Sequence, residues 1–303
     1  MRVDPYYVTN LVSSLDLTQA SEQQLTAELS SGVRINSLSQ DPVASGENVL
    51  LLNQIQRDDS FTESSSLVQG QLQVADSALG SVVSQLTQAI SLATSANNGT
   101  LNASDLKSIS NQIAGIRDEV TALANTSYQG QYIFAGGQTS TAPFSTSSAT
   151  SPAVTTYNGD NGVNYLETPN GQSIQLNVPG NQIFQGAGAN GVFTALNNLV
   201  ADYAGGVHTG QAVTDAESLN SSLNFVSQQR VVVDNSLTRL TAASDAITGE
   251  QTQLITSQTD LMQADLPTIS TQLSLAETQQ TALEDVISQL GSTSQSLFSK
   301  LQG

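Results

Sequence analysis

The chain has no cysteine, so disulfides, thiolate nucleophiles and cysteine-held metals are excluded. It has little positive charge. Of 303 residues only eight are Lys or Arg, against 26 Asp and Glu, and none of the eight lies between Arg117 and Arg230. Binding to nucleic acid or to anionic lipid needs clustered cations, so both are disfavoured. Charged residues of either sign make up only 11%, which leaves Ser, Thr, Gln and Asn to form much of the surface. The first residues, Met1-Arg2-Val3-Asp4-Pro5, lack the apolar stretch of a cleaved secretory signal. No apolar run approaches the ~20 residues of a membrane span. These absences suit a cytoplasmic protein, or one exported without a cleaved signal.

What the chain does have is heptad periodicity. Met262, Ile269, Ala276, Leu283, Leu290 and Leu297 repeat every seven residues, interleaved with Leu266, Leu273, Gln280, Ile287, Ser294 and Leu301. That is an a/d seam on one helical face, with polar faults at Gln280 and Ser294. Upstream, Leu240, Ile247, Leu254 and Leu261 form a line that shifts by one residue at Met262. Pro267 follows the shift, which predicts a break with Asp265 near the new N-terminus. A seam needs partner helices, and the other end of the chain offers them.

Asp4-Pro5 reads as a cap and first helical position. Val8, Leu11, Leu15, Leu25 and Leu29 then share a face, weakened at Thr18 and Glu22, up to a stop at Gly32. Residues 32–42 read as an irregular crossing and 43–57 as helix. Residues 64–96 carry two full heptad lines, Val68/Ala75/Val82/Ala89 and Leu72/Leu79/Leu86/Ala93. Asn97-Asn98-Gly99 closes that helix, and Asn102 with Asp105 opens the next in a capping box. Leu106/Ile113/Val120 and Ile109/Ile116/Leu123 complete a helical hairpin. Tyr132–Ala135 reads as a strand. Residues 163–167 and 173–178 read as a β-hairpin about Pro169-Asn170-Gly171, and Pro179-Gly180 as a turn. Residues 192–203 are helical. The expected class is mainly α: a long antiparallel bundle or coiled coil made by 1–137 and 191–303, with a small β-rich insert at 138–190. The insert's Gly/Thr/Asn composition predicts little buried apolar area, and hence that a short linker could replace it.

Candidate sites are few. Gly186–Gly191 fits G-x-G-x-x-G and precedes a helix, but its leading strand would be only Ile183-Phe184 and no βαβ unit follows, so it reads as a linker. His208, the only histidine, stands among glycines and reads as a loop residue rather than a general base. Asn158–Gly162 lacks the terminal Glu of a calcium loop and reads as a turn. Asp58-Asp59 reads as a solvated helix face. No cofactor, metal or catalytic constellation is expected.

Leu29-Ser30-Ser31-Gly32-Val33-Arg34-Ile35-Asn36 resembles a signature of the flagellin superfamily. Asp41-Pro42-Val43-Ala44 and Gly130-Gln131-Tyr132-Ile133-Phe134-Ala135-Gly136 are similar to the hook–filament junction branch of that family. The turn at Ala96–Thr100 is similar to the family's helical-hairpin turn, and Tyr157-Asn158-Gly159-Asp160 and Val178-Pro179-Gly180 sit where the family has similar turns. The last eight residues match the family's apolar tail only loosely, and basic residues are scarcer. The resemblance implies a structural, non-enzymatic flagellar part, exported unfolded through the flagellar type III channel and held beforehand by a cytoplasmic chaperone. It implies hook-associated protein 1 on the hook side, flagellin on the filament side and a ring of copies, with about 1–40 and 265–303 as an inner assembly core. The interface residues it implies are Val8, Leu11, Leu15, Leu29, Arg34, Ile35, Asn36, Asp41, Leu283, Leu290, Leu297 and Leu301. The alternatives are flagellin itself, a coiled-coil adhesin or secretion-system protein, and a hydrolase built on His208.

Overall fold

The computed structural model describes residues 5–186, 191–207 and 209–301, the side chains of 5, 8 and 293–301 excepted. Among the described residues six α-helices carry the fold: α1 (Pro5–Ser31), α2 (Pro42–Ala96), α3 (Ala103–Ala124), α4 (Val192–Ala204), α5 (Gln211–Met262) and α6 (Leu266–Leu301). Between α3 and α4 lie three two-stranded antiparallel ladders. They are β1 (Ser127–Tyr128) with β2 (Gln131–Tyr132), β3 (Phe144–Ser147) with β4 (Val154–Tyr157), and β5 (Tyr165–Glu167) with β6 (Ser173–Gln175). The protein is mainly helical, its terminal helices packed together and a small sheet-containing region in the middle.

Residue contacts divide the chain into two compact units, Met1–Gln56 with Glu250–Gly303, and Arg57–Gly249. The second holds the main core. Both α2 lines are buried throughout, from Val68 and Leu72 to Ala89 and Ala93. The α3 lines join them, with Leu123 only partly covered. On α5 the facing line is Ala212, Leu219, Val226, Val233, Leu240 and Ile247, at most 2% exposed. Asn102 caps α3 by accepting from Ser104 N and Asp105 N at 2.9 and 3.0 Å. Arg230 forks onto Asp76 (2.6 and 3.1 Å). Gly80 leaves room for this guanidinium, since a Cβ there would sit 3.3 Å from its Cζ. Tyr203, fully buried on α4, donates to Asn97 Oδ1 at 2.9 Å. Residues 43–57 and 64–96, read separately from sequence, are one uninterrupted helix.

The middle region departs from expectation in three ways. Tyr132–Ala135 is not a strand. Only Gln131–Tyr132 pairs, and Ile133, Phe134 and Ala135 turn inward and are buried. The hairpin around Gly171 exists with shorter strands than expected, Leu166 opposite Ile174. Nor is the insert poor in apolar burial. Phe144 lies 5.1, 5.2 and 5.0 Å from the rings of Tyr157, Phe184 and Phe193, and Phe134 meets Phe184 edge-on at 5.7 Å. These rings, with Ile174, Val178 and Ile183, belong to the same core as α3 and α4. A composition average hides six well-placed apolar side chains.

Asp160 shows what the Asn158–Gly162 turn does. Its Oδ1 accepts from Gly137 N (2.6 Å) and Gly162 N (2.8 Å), and its carbonyl accepts from Tyr157 Oη (2.7 Å). Gly136 sits at φ 71°, and a Cβ there would land on the carbonyl and carboxylate oxygens of Asp160. The Gly137 N–H, then that of Gly162, hold the Asp160 carboxyl below its ordinary value. A pKa lower in the folded than in the unfolded chain means the cap is intact above about pH 4 and is lost as pH falls through the folded value. The Gly137 amide resonance should therefore titrate with a midpoint below about 4. A midpoint at or above the unfolded value would show that this bond does not form.

Candidate assembly interface

Both chain ends leave their helices at the same place. Gly32 ends α1 at φ 68°, its N–H on Glu28 O at 2.9 Å. At the other end, Pro267 cannot supply a helical N–H and would clash one turn back, so α5 stops at Met262 and α6 starts at Leu266. Asp265 caps α6, accepting from Thr268 N (3.3 Å) and Thr268 Oγ1 (2.7 Å). The two gaps pair. Arg34 N donates to Met262 O (2.8 Å), Ala264 N donates to Gly32 O (3.0 Å), and Val33 bridges Gln263.

Arg34 reinforces this joint from its side chain. Nη2 donates to Leu261 O at 3.2 Å, one of the last carbonyls of α5, which have no helical partner. Nη1 reaches Asp41 Oδ2 at 3.4 Å. Asp41 in turn caps α2 through Ala44 N at 3.0 Å. That N–H, with Arg34 adding to it, holds the Asp41 carboxyl below its ordinary value. Asn36 closes the crossing, its Nδ2 on Val33 O (3.3 Å) and its N–H on Gln40 Oε1 (2.7 Å). Ile35 is buried beneath them. Arg34 thus meets a carboxylate inside its own chain.

The terminal pair α1 and α6 is half-covered. Leu11, Leu15 and Leu25 on α1 are half-buried and Leu29 is exposed; on α6 Ile269 and Ala276 are buried while Leu273, Leu283, Ile287 and Leu290 are half-buried. The side chains of Val8, Leu297 and Leu301 lie outside the described residues. Apolar side chains also point away. Tyr6, Leu17, Leu38, Val43 and Leu50 are 69–80% exposed. At the start of α2, Ala44 is buried while Val43 and Leu50, seven apart, face out. Sequence reasoning missed this second face. Its signal was the run Leu50-Leu51-Leu52, which cannot fit one stripe of a helix.

The other candidates fall away or move. Asp58 was expected in solvent and is 0% exposed, while Asp59 is exposed. Asp58 stands fourteen residues before Leu72 on the inward line, and that position outweighs its charge. Ile183-Phe184 is not a strand but part of a π-turn (Asn181–Gln185), so no strand leads into Gly186–Gly191. Residues 187–190 and His208 lie outside the described residues. Among the described residues, no three His, Cys, Asp or Glu gather as a metal site, and no helix is long and apolar enough to cross a membrane.

Known proteins share this arrangement. Residues 6–139 match the bacterial flagellin N-terminal helical region. The fold is that of a solved flagellar hook-associated protein from Vibrio parahaemolyticus, with TM-score 0.65 and 18% identity over 74% of this chain and all of that one. FlgL of Xanthomonas campestris superposes with TM-score 0.50 and 18% identity over 69% of this chain and 96% of that one. Two chain ends folded into one helical unit, a flagellin-type N-terminal region and a small sheet-bearing middle make the chain similar to proteins of the flagellin class. Among characterised proteins it is similar to flagellar hook-associated protein 3. The Escherichia coli K12 protein is 28% identical over 294 residues, 88% of each chain, and that of Salmonella typhimurium LT2 is 31% identical over 134 residues, 44% of this chain and 42% of that protein.

Proposed function

We propose that the protein is a structural, non-enzymatic component of the bacterial flagellum that joins the hook to the filament. The observation that carries this is the likeness to hook-associated protein 3 along 88% of both chains, and the uncovered apolar faces of the terminal unit support it. The terminal segments, about 1–40 and 265–303, form the assembly core, and 138–190 form an outward head. Copies pack side by side in a ring, with hook-associated protein 1 on the hook side and flagellin on the filament side. The chain reaches that position through the flagellar export channel, after a cytoplasmic chaperone has held its C-terminal part. Deleting the gene should leave hooks intact and shed flagellin into the medium, read by microscopy and a blot. Normal filaments on the deletion strain would reject the junction role.

Arg34 gives a finer test. Arg34→Ala removes the bonds to Leu261 O and Asp41, so the joint should loosen and motility should fall. The pair is exposed, so the monomer's melting temperature should move little. Arg34→Lys should rescue only in part, because an ammonium lacks the planar fork that serves both partners. Wild-type motility for Arg34→Ala would make the side chain an ordinary surface cation.

A further inference from the structure

Helical hydroxyls in this protein usually satisfy themselves. Ser64 donates to Ser60 O at 2.8 Å, and Thr87, Thr94 and Thr241 likewise bond the carbonyl four residues back. Thr62 and Ser65 do not. Their Oγ atoms are buried without a hydrogen-bond partner, and Ser65 is 0% exposed. Ser65 holds the inward place seven residues before Leu72, so it replaces the apolar residue that the seam calls for. Counting back from the Asp76–Arg230 pair along antiparallel helices puts it near Leu240 on α5. A Ser or Thr that forgoes the local bond leaves a polar atom aimed into the bundle. Such an atom is costly to bury unless something bonds it. Among the described residues no side chain does so, and water is the partner small enough to enter a packed seam and able to bond two hydroxyls.

We propose that Thr62 and Ser65 bind ordered water inside the α2 seam, making residues 58–68 a hydrated layer held less tightly than the rest of the Arg57–Gly249 bundle. Water replaces the apolar contact that Leu supplies at 72, 79 and 86, so this layer is held less tightly than its neighbours. A high-resolution crystal structure of the full chain should place a water on Thr62 Oγ1, Ser65 Oγ or both. Direct bonding of both hydroxyls to protein atoms there would overturn the proposal. Thr62→Val with Ser65→Ala keeps nearly the same shape and removes both hydroxyls. Amide exchange in 58–68 should then slow about tenfold while 79–93 is unchanged, because no buried polar atom remains to be solvated. Exchange in 58–68 that is unchanged or faster would equally overturn it, and neither result bears on the junction role.

Discussion

Phe144→Ala should lower the stability of the Arg57–Gly249 unit by about 3–5 kcal/mol, the usual loss for a buried phenylalanine. For a unit of this size that is a fall in melting temperature of about 10 °C. Phe144 is 2% exposed and touches three other rings. Its edge-to-face and tilted contacts add to the area it buries, and the cavity it leaves is walled by Tyr157, Phe184 and Phe193, which belong to different elements. Val154→Ala, at a side chain 55% exposed on β4, should change stability by no more than about 0.5 kcal/mol. A Phe144→Ala loss under about 1 kcal/mol would mean the ring cluster is not part of the core. The same packing argues against exchanging 138–190 for a short linker. That would remove Phe144, Tyr157, Ile174 and Phe184 together and strip Phe193 and Phe134 of their cover.

Leu283→Ser with Leu290→Ser should abolish filament growth and leave the middle of the molecule untouched. Both leucines are only half-buried in the single chain, so each has apolar surface still to lose. Full burial of a leucine is worth about 1.5–3 kcal/mol, and the loss would recur at every subunit contact. Hydrogen exchange on the wild-type monomer should be fast in residues 5–30 and 270–301, because half-covered helices are marginal. It should be slow in 64–125. The double variant should keep that middle protection and still be exported. Filaments of normal length, or lost protection in 64–125, would place the joint elsewhere.

The long seams were legible because a heptad line is a statement about one helix face, and burial followed it residue by residue from Val68 to Ala93. The break at Asp265-Pro267 and the stop at Gly32 were legible for a similar reason: proline and glycine act on the local backbone. Asp58 was misread because its charge was weighed without extending the Leu72 line backward. The pairing of Gly32–Arg34 with Met262–Ala264 could not be read at all, since backbone hydrogen bonds between distant segments leave no mark on residue type. The aromatic cluster escaped for a related reason. Phe134, Phe144, Phe184 and Phe193 are far apart in sequence and obey no period.

The bridge between Val33 and Gln263 also sets an order of events. Its two residues are separated by most of the chain, so closing it carries a large loop entropy, growing with the logarithm of that separation. The Arg57–Gly249 unit draws on one continuous stretch and can form on its own schedule. The terminal unit cannot begin until the last residues are present, since α1 has no partner before α6 exists. A chain delivered from one end should therefore fold from the middle outward. Its high-contact-order part would be slow and last, leaving the terminal apolar faces uncovered for as long as the second end is missing.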